Sequence, residues 1–143
     1  MPPFSLTLNA IVDLAKAKTV ITRYFDSRLG GGLGFNEFVI LYHLSQAAEG
    51  KLRRIDLAEK IGLTASGVTR LLAPMEKIGL IRREEHSRDA RVSYVTLAPS
   101  GKRIFEEQIE KAELLAEEAL PALGKKQAAD LSRLLAALRL PSF

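Results

Sequence analysis

The chain has 143 residues and a net charge of +4; 47% of its residues are apolar and 27% charged, and it has neither Cys nor Trp. Without Cys it builds no disulfide scaffold, Cys-ligated zinc finger, iron–sulfur cluster or thiol redox sensor, and a chain of this length buries roughly 70% of its extended surface, enough for a core without staples. No apolar run exceeds the five residues Phe38 to Tyr42, far short of the roughly 20 a membrane helix needs, and the start (Met1, Pro2, Pro3, Phe4) has no basic segment ahead of an apolar one, so a cytoplasmic location is expected.

The first predicted element is a helix from Ser5 or Thr7, either a fitting N-cap, to Leu29. Leu8, Ile11, Leu14, Ile21 and Phe25 recur at helical spacing. The cluster Gly30, Gly31, Gly32 and Gly34 ends it. A second helix is expected from Asn36 to about Ala48, apolar over most of its girth through Phe35, Phe38, Val39, Leu41, Tyr42 and Leu44. A short extended piece follows at Leu52 to Arg54. Ile55 to Ile61 then reads as a brief helix with Leu57, Ala58 and Ile61 inward and Gly62 at its end. Thr64 opens the next helix, which runs to Ile78. Val68, Leu71, Leu72, Met75 and Ile78 share one face of it, and Ala65, Ser66, Thr69, Arg70 and Ala73 share the other. Pro74 is expected to bend this helix or end its regular part, since proline lacks the N–H and crowds the carbonyl of Arg70.

Two helices joined by the tight Gly62–Leu63–Thr64 turn make a helix-turn-helix pattern. Leu80 to Glu85 and Val92 to Leu97 read as the arms of a β-hairpin, with Val95 and Leu97 inward and a charged tip from His86 to Arg91. A helix from Pro99 to Leu120 carries the apolar set Phe105, Ile109, Ala112, Ala116 and Leu120; the last helix runs from Lys125 to Leu140 with Leu131, Leu134, Leu135 and Leu138 in a stripe. The fold class is therefore mainly α with a minor β part: a winged helix-turn-helix at residues 35–98, flanked by helical segments at 1–34 and 99–143. Each flanking helix has an apolar stripe that needs a partner. Pairing with the same helices of a second chain makes a two-fold homodimer that presents two recognition helices.

The charge is uneven. Residues 1–50 are net neutral, residues 51–103 carry +6 and residues 104–143 carry −2. Concentrated positive charge beside a helix-turn-helix points to nucleic acid. On the second helix of that unit, Ala65, Ser66 and Thr69 are small enough to let it enter a major groove about 12 Å wide, and Arg70 suits a bidentate pair with guanine. At the hairpin tip, Arg88 and Arg91 suit a narrow minor groove, and Asp89 suits a clamp that orients a neighbouring arginine.

The stretches Ile55-Asp-Leu-Ala-Glu-Lys-Ile-Gly-Leu-Thr-Ala-Ser-Gly-Val-Thr-Arg-Leu-Leu, Met75-Glu-Lys-Ile-Gly-Leu-Ile-Arg-Arg-Glu, Asp89-Ala-Arg91 and Thr96-Leu97 together resemble the MarR family of bacterial transcriptional regulators. The motif spans about residues 52–101, and the flanking helices follow the family's order. The resemblance implies a homodimer built from the terminal helices, a recognition helix in the major groove of double-stranded DNA, and wing arginines at the minor groove, with Arg91 in the groove and Asp89 holding it. It also implies a repressor acting on a pseudo-palindromic operator and released by a small phenolic or other anionic effector. The family's usual pocket borders the helices that carry Arg23, Tyr24, Phe38, Tyr42 and His43. Two departures stand out. Leu97-Ala98-Pro99 lacks the hydroxyl expected at the N-cap of the following helix, and Arg54 and Ile55 precede Asp56 where the family often has Ser or Thr.

The alternative is a winged-helix protein–protein interaction module without specific DNA binding; retention of Arg82, Arg83, Arg88 and Arg91 argues against it. An enzyme is not expected, because no base or nucleophile has a paired partner. His43 reads as a satisfied core histidine. Glu84, Glu85 and His86 make a poor metal site with only two His and no Cys in the chain, so neither metal nor cofactor is expected. The acidic run Glu106, Glu107, Glu110, Glu113, Glu117 and Glu118 reads as a solvated helix face.

Overall fold

The computed structural model describes residues 3–85, 88–89 and 92–141. Among the described residues, six α-helices and three short strands follow in the order α1 (Leu6–Asp26), α2 (Phe35–Gln46), β1 (Lys51–Arg53), α3 (Arg54–Ile61), α4 (Ala65–Lys77), β2 (Ile81–Glu85), β3 (Ser93–Leu97), α5 (Pro99–Ala119) and α6 (Lys125–Ala137). A single 3-10 turn at Ala48–Gly50 links α2 to β1.

Local chemistry sets most boundaries. Ser5, not Thr7, caps α1: its hydroxyl accepts from the Leu8 N–H at 3.1 Å. Helix α1 stops at Asp26, three residues short of the expected Leu29, because Asp26 turns its carboxylate to the N–H of Phe35 (2.7 Å) and so opens α2. Gly62 has φ 72° and ends α3 in the left-handed conformation that glycine tolerates best, with its own N–H bonded to the carbonyls of Ala58 and Glu59. Thr64 then caps α4 by accepting from the Gly67 N–H at 3.1 Å. Pro74 does not end α4, which continues to Lys77. The proline lies on the exposed side, where water can occupy the place of the donor it lacks.

The expected hairpin is part of a three-stranded antiparallel sheet in the order β1-β3-β2. Val95 stands opposite Leu52 on one side and Arg83 on the other. The third strand is the short extended piece expected at Leu52 to Arg54, shifted by one residue to Lys51–Arg53; three residues are too few to show which strand it would pair with. The core is one cluster: Ile40, Leu41 and Leu44 of α2, Leu57 of α3, Val68, Leu72 and Met75 of α4, and Val95 of β3, joined by Phe25 of α1 and by Ala112 and Leu115 of α5. Phe38 stacks on Phe105, centroids 5.3 Å apart, and Phe25 meets Phe35 at 4.8 Å. The last turn of α1 and the middle of α5 thus share the winged unit's core.

Three expected inward residues face out. Ile78 is 70% exposed, because α4 has already ended and Gly79 turns the chain toward β2. On α5 the buried line passes through Gly101, Ala112 and Leu115, leaving Ala116 exposed and Leu120 at the surface. Helix α6 is shorter than expected, and Leu131, Leu134, Leu135 and Leu138 are all exposed.

Candidate nucleic-acid interface

Helix α4 is divided lengthwise. Val68, Leu72 and Met75 anchor it in the core, while Ala65, Ser66, Thr69 and Arg70 all lie exposed on the opposite side. The four residues singled out from the sequence therefore share one solvent-facing surface near the helix N-terminus. Their hydroxyls are not idle. Ser66 Oγ lies 3.2 Å from Thr64 Oγ1, beside the helix cap. Thr69 Oγ1 donates to the Ala65 carbonyl at 2.9 Å and accepts from Arg54 Nη2 at 2.6 Å.

Arg54 was singled out in the sequence only for its unusual place before Asp56. It opens α3 directly after β1, and the turn between α3 and α4 brings it to Thr69. Arg53 makes a two-pronged pair with Asp56, at 2.8 and 3.1 Å. Those hydrogen bonds, together with the guanidinium charge, hold the Asp56 carboxyl below the usual carboxylate range. No side chain caps α3, and the only acidic residue of its first turn is Asp56, the partner of Arg53.

The wing's surface is also ordered by pairs across the sheet. Lys51 Nζ lies 3.1 Å from Glu84 Oε1, and Thr96 donates to the other Glu84 oxygen at 3.2 Å. Both hydrogen bonds, with the lysine's charge, keep Glu84 ionised below its ordinary pKa. Arg83 Nε donates to Ser93 Oγ at 3.2 Å. At the tip, Arg88 is exposed and Asp89 half-buried, and the Asp89 carbonyl accepts from the Val92 N–H at 3.0 Å. Arg91 and His86 lie outside the described residues. Among the described residues no group of three or more His, Cys, Asp or Glu is placed to hold a metal.

The five residues picked for an effector do not converge. Phe38 is in the core, Arg23 is exposed, and Tyr42 packs its ring edgewise on His43 at 5.4 Å. His43 is half-buried at the core's edge; partial burial, then the charge of Lys60, lowers its pKa. Tyr24 lines a groove of about 170 Å³ between α1 and α5 with Val20, Ile21, Glu118 and Leu120. Its hydroxyl donates to Glu118 at 3.1 Å, and the Arg28 guanidinium sits 3.9 Å over its ring. Partial burial, then the carboxylate, raises the Tyr24 hydroxyl's pKa.

Residues 35–93 match the family model described as "MarR family". The uncharacterized HTH-type transcriptional regulator YfiV of Bacillus subtilis (strain 168) is 35% identical over 78 residues, 54% of this chain and 49% of that protein. The winged unit of this chain, residues 35–93, is thus matched to the MarR family. The chain spans about half the length of the curated relatives it matches. The family fold extends through the terminal helices. The transcriptional regulator BldR from Sulfolobus solfataricus superposes with a TM-score of 0.79 at 25% identity, over 96% of this chain and 100% of that one. Sco3205, a MarR family transcriptional regulator from Streptomyces coelicolor solved in complex with DNA, superposes with a TM-score of 0.80 at 21% identity, over 95% of this chain and 88% of that one.

Proposed function

We propose that this chain is a sequence-specific DNA-binding transcriptional regulator of the MarR family that works as a homodimer on a pseudo-palindromic operator. The observation that carries the reading is the exposed face of α4, where Ala65, Ser66, Thr69 and Arg70 stand together on a helix whose other side is core. That is the shape and chemistry a major groove accepts, and Sco3205, of the same fold, has been solved on DNA. Arg88 and Arg91 of the wing, with Asp89 as a clamp, are assigned to the minor groove. The division into residues 35–98 for DNA and residues 1–34 and 99–143 for dimerisation is one of role, since the core is shared.

A second copy of the chain is favoured by what the terminal helices leave uncovered. Among the described residues, every exposed large apolar side chain except Tyr42, Ile55 and Ile78 lies in or beside α1, α5 and α6. Leu6, Ile11 and Val12 of α1 are each more than half exposed, and α6 buries no residue. Exposed apolar side chains in this number mark an interaction site, and two-fold pairing of the same helices covers them on both chains.

The reading includes a repressor's release by a small effector, with no catalytic step and a cytoplasmic location beside the DNA. The groove at Tyr24 is the supporting feature. A phenolic hydroxyl can donate to Glu118 there, whereas a carboxylate would be repelled by it unless it reached Arg28.

Selection of bound duplexes from a random pool, followed by sequencing, tests the proposal. The expected product is an inverted repeat with half-site centres about 10 base pairs apart, bound with a log–log salt slope near −0.9 per phosphate neutralised. Duplexes without a shared motif would refute specific reading, and no bound DNA would favour the protein-interaction module.

A further inference from the structure

Thr69 is exposed on the face of α4 that the proposed function turns to DNA, yet its hydroxyl is occupied on both sides. Its proton goes to the Ala65 carbonyl one turn back, at 2.9 Å, and one lone pair receives Arg54 Nη2 at 2.6 Å. A hydroxyl has one proton and two lone pairs. Thr69 therefore cannot donate to a phosphate oxygen or a base acceptor without breaking a bond to its own helix. What it retains for a partner is its γ-methyl and a single lone pair.

The bond from Arg54 is charge-assisted, the stronger kind, and it spans 15 residues of chain. It exists because the Gly62–Thr64 turn sets the start of α3 against the first turns of α4. Arg54 is half-buried, and the planar guanidinium fork approaches Thr69 from the side of α3. We propose that Arg54 is a positioning residue for base reading: it holds the Thr69 hydroxyl so that the γ-methyl meets the DNA, and one position in each half-site is selected for the 5-methyl of thymine. Contact between a threonine methyl and the thymine methyl is one of the few direct signals in the major groove that needs no hydrogen bond. The inference rests on the DNA-binding reading above and deepens it.

The test uses the full-length chain and the operator it selects. Each thymine of a half-site is replaced in turn by deoxyuridine, which removes only the 5-methyl. One thymine per half-site is expected at which replacement weakens binding about fourfold, the worth of one buried methyl-sized group. Thr69→Val keeps the methyl and discards the hydroxyl that Arg54 holds; because valine has one strongly preferred rotamer on a helix where threonine has two, it is expected to keep the deoxyuridine penalty without Arg54's help. Thr69→Ala and Arg54→Met are expected to lose that penalty, and Arg54→Lys, which restores a charged donor, is expected to recover it. Because the readout is a ratio between two duplexes, a uniform loss of affinity from removing a charge does not imitate it. If Thr69→Val weakens binding about tenfold or more and no thymine is sensitive, the hydroxyl itself contacts DNA and the proposal is overturned, while the DNA-binding reading stands. If Arg54→Met keeps the full penalty, the positioning role is overturned. A wild-type chain that selects no duplex overturns both.

Discussion

Replacing Gly101 with alanine tests how α5 is seated on the DNA-binding unit. Gly101 is buried in the first turn of α5, and a Cβ built there would lie 2.1 Å from the Leu80 carbonyl oxygen and 3.1 Å from Leu97 Cδ1. The Leu80 carbonyl cannot simply swing away, because it accepts the Ala98 N–H at 3.0 Å. Next to it, Ser100 Oγ donates to the Gly79 carbonyl at 2.5 Å. Relief requires the oxygen and the added carbon to part by roughly 1 Å in a close-packed corner, which costs about 1–3 kcal/mol or more as overpacking. Against this stands the usual helix gain of Gly→Ala, about 1 kcal/mol. Because the added carbon meets backbone, the upper end of that range applies, about 3 kcal/mol less about 1, and the net expectation is a loss of about 2 kcal/mol, or a melting temperature lower by roughly 4–8 °C for a chain of this size. The assay is thermal unfolding followed by circular dichroism at fixed protomer concentration, since dimerisation would make the midpoint concentration-dependent. A variant that melts at or above the wild-type temperature would refute the argument, for it would mean that α5 is not held against the Leu80 carbonyl.

Four further outcomes are expected. Ala98 occupies the N-cap of α5 with no side-chain bond and is 2% exposed; Ala98→Ser should raise stability by about 1 kcal/mol, whereas Ala98→Thr, attractive from sequence, adds a methyl to a filled site and should gain less in a denaturant titration. Leu134 is 67% exposed in the single chain, so Leu134→Asp should leave the helical signal intact but halve the mass seen by light scattering; an unchanged dimer mass would remove α6 from the interface. His43 has its pKa lowered by burial and by Lys60, so the unfolded chain takes up the proton first: stability should fall as the pH drops through about 6.5, and His43→Gln should flatten that part of the profile. Arg91→Ala should weaken operator binding by about 1–3 kcal/mol with no change in melting temperature, and equal affinity would count against the wing assignment.

Much of the winged unit was legible because its signals are local. Thr64 and Gly62 frame the turn between α3 and α4 through caps that involve only neighbouring residues. The inward set Val68, Leu72 and Met75 follows from helical period alone, and so does the exposure of Ala65, Ser66, Thr69 and Arg70 on the other side. A basic middle third, a helix-turn-helix and a hairpin pointed to a winged DNA-binding unit before any coordinates, and the stretches Ile55–Leu72 and Met75–Glu84 carried its resemblance to the MarR family.

What depended on distant parts of the chain was decided only by the tertiary structure. The short extended piece expected at Leu52 to Arg54 is β1, at Lys51–Arg53, but that it joins the sheet with Leu52 opposite Val95, 43 positions away, could not be read from three residues. Asp26 ends α1 because its carboxylate serves Phe35, and the face of α5 is rotated to Leu115 rather than Ala116 because Gly101 must meet Leu80. The same holds for the Arg54–Thr69 bond, which changes what Thr69 can offer a base. Periodicity reports which residues prefer burial. It does not report which partner arrives, and burial, pairing and hydrogen-bond commitment belong to the partner as much as to the residue.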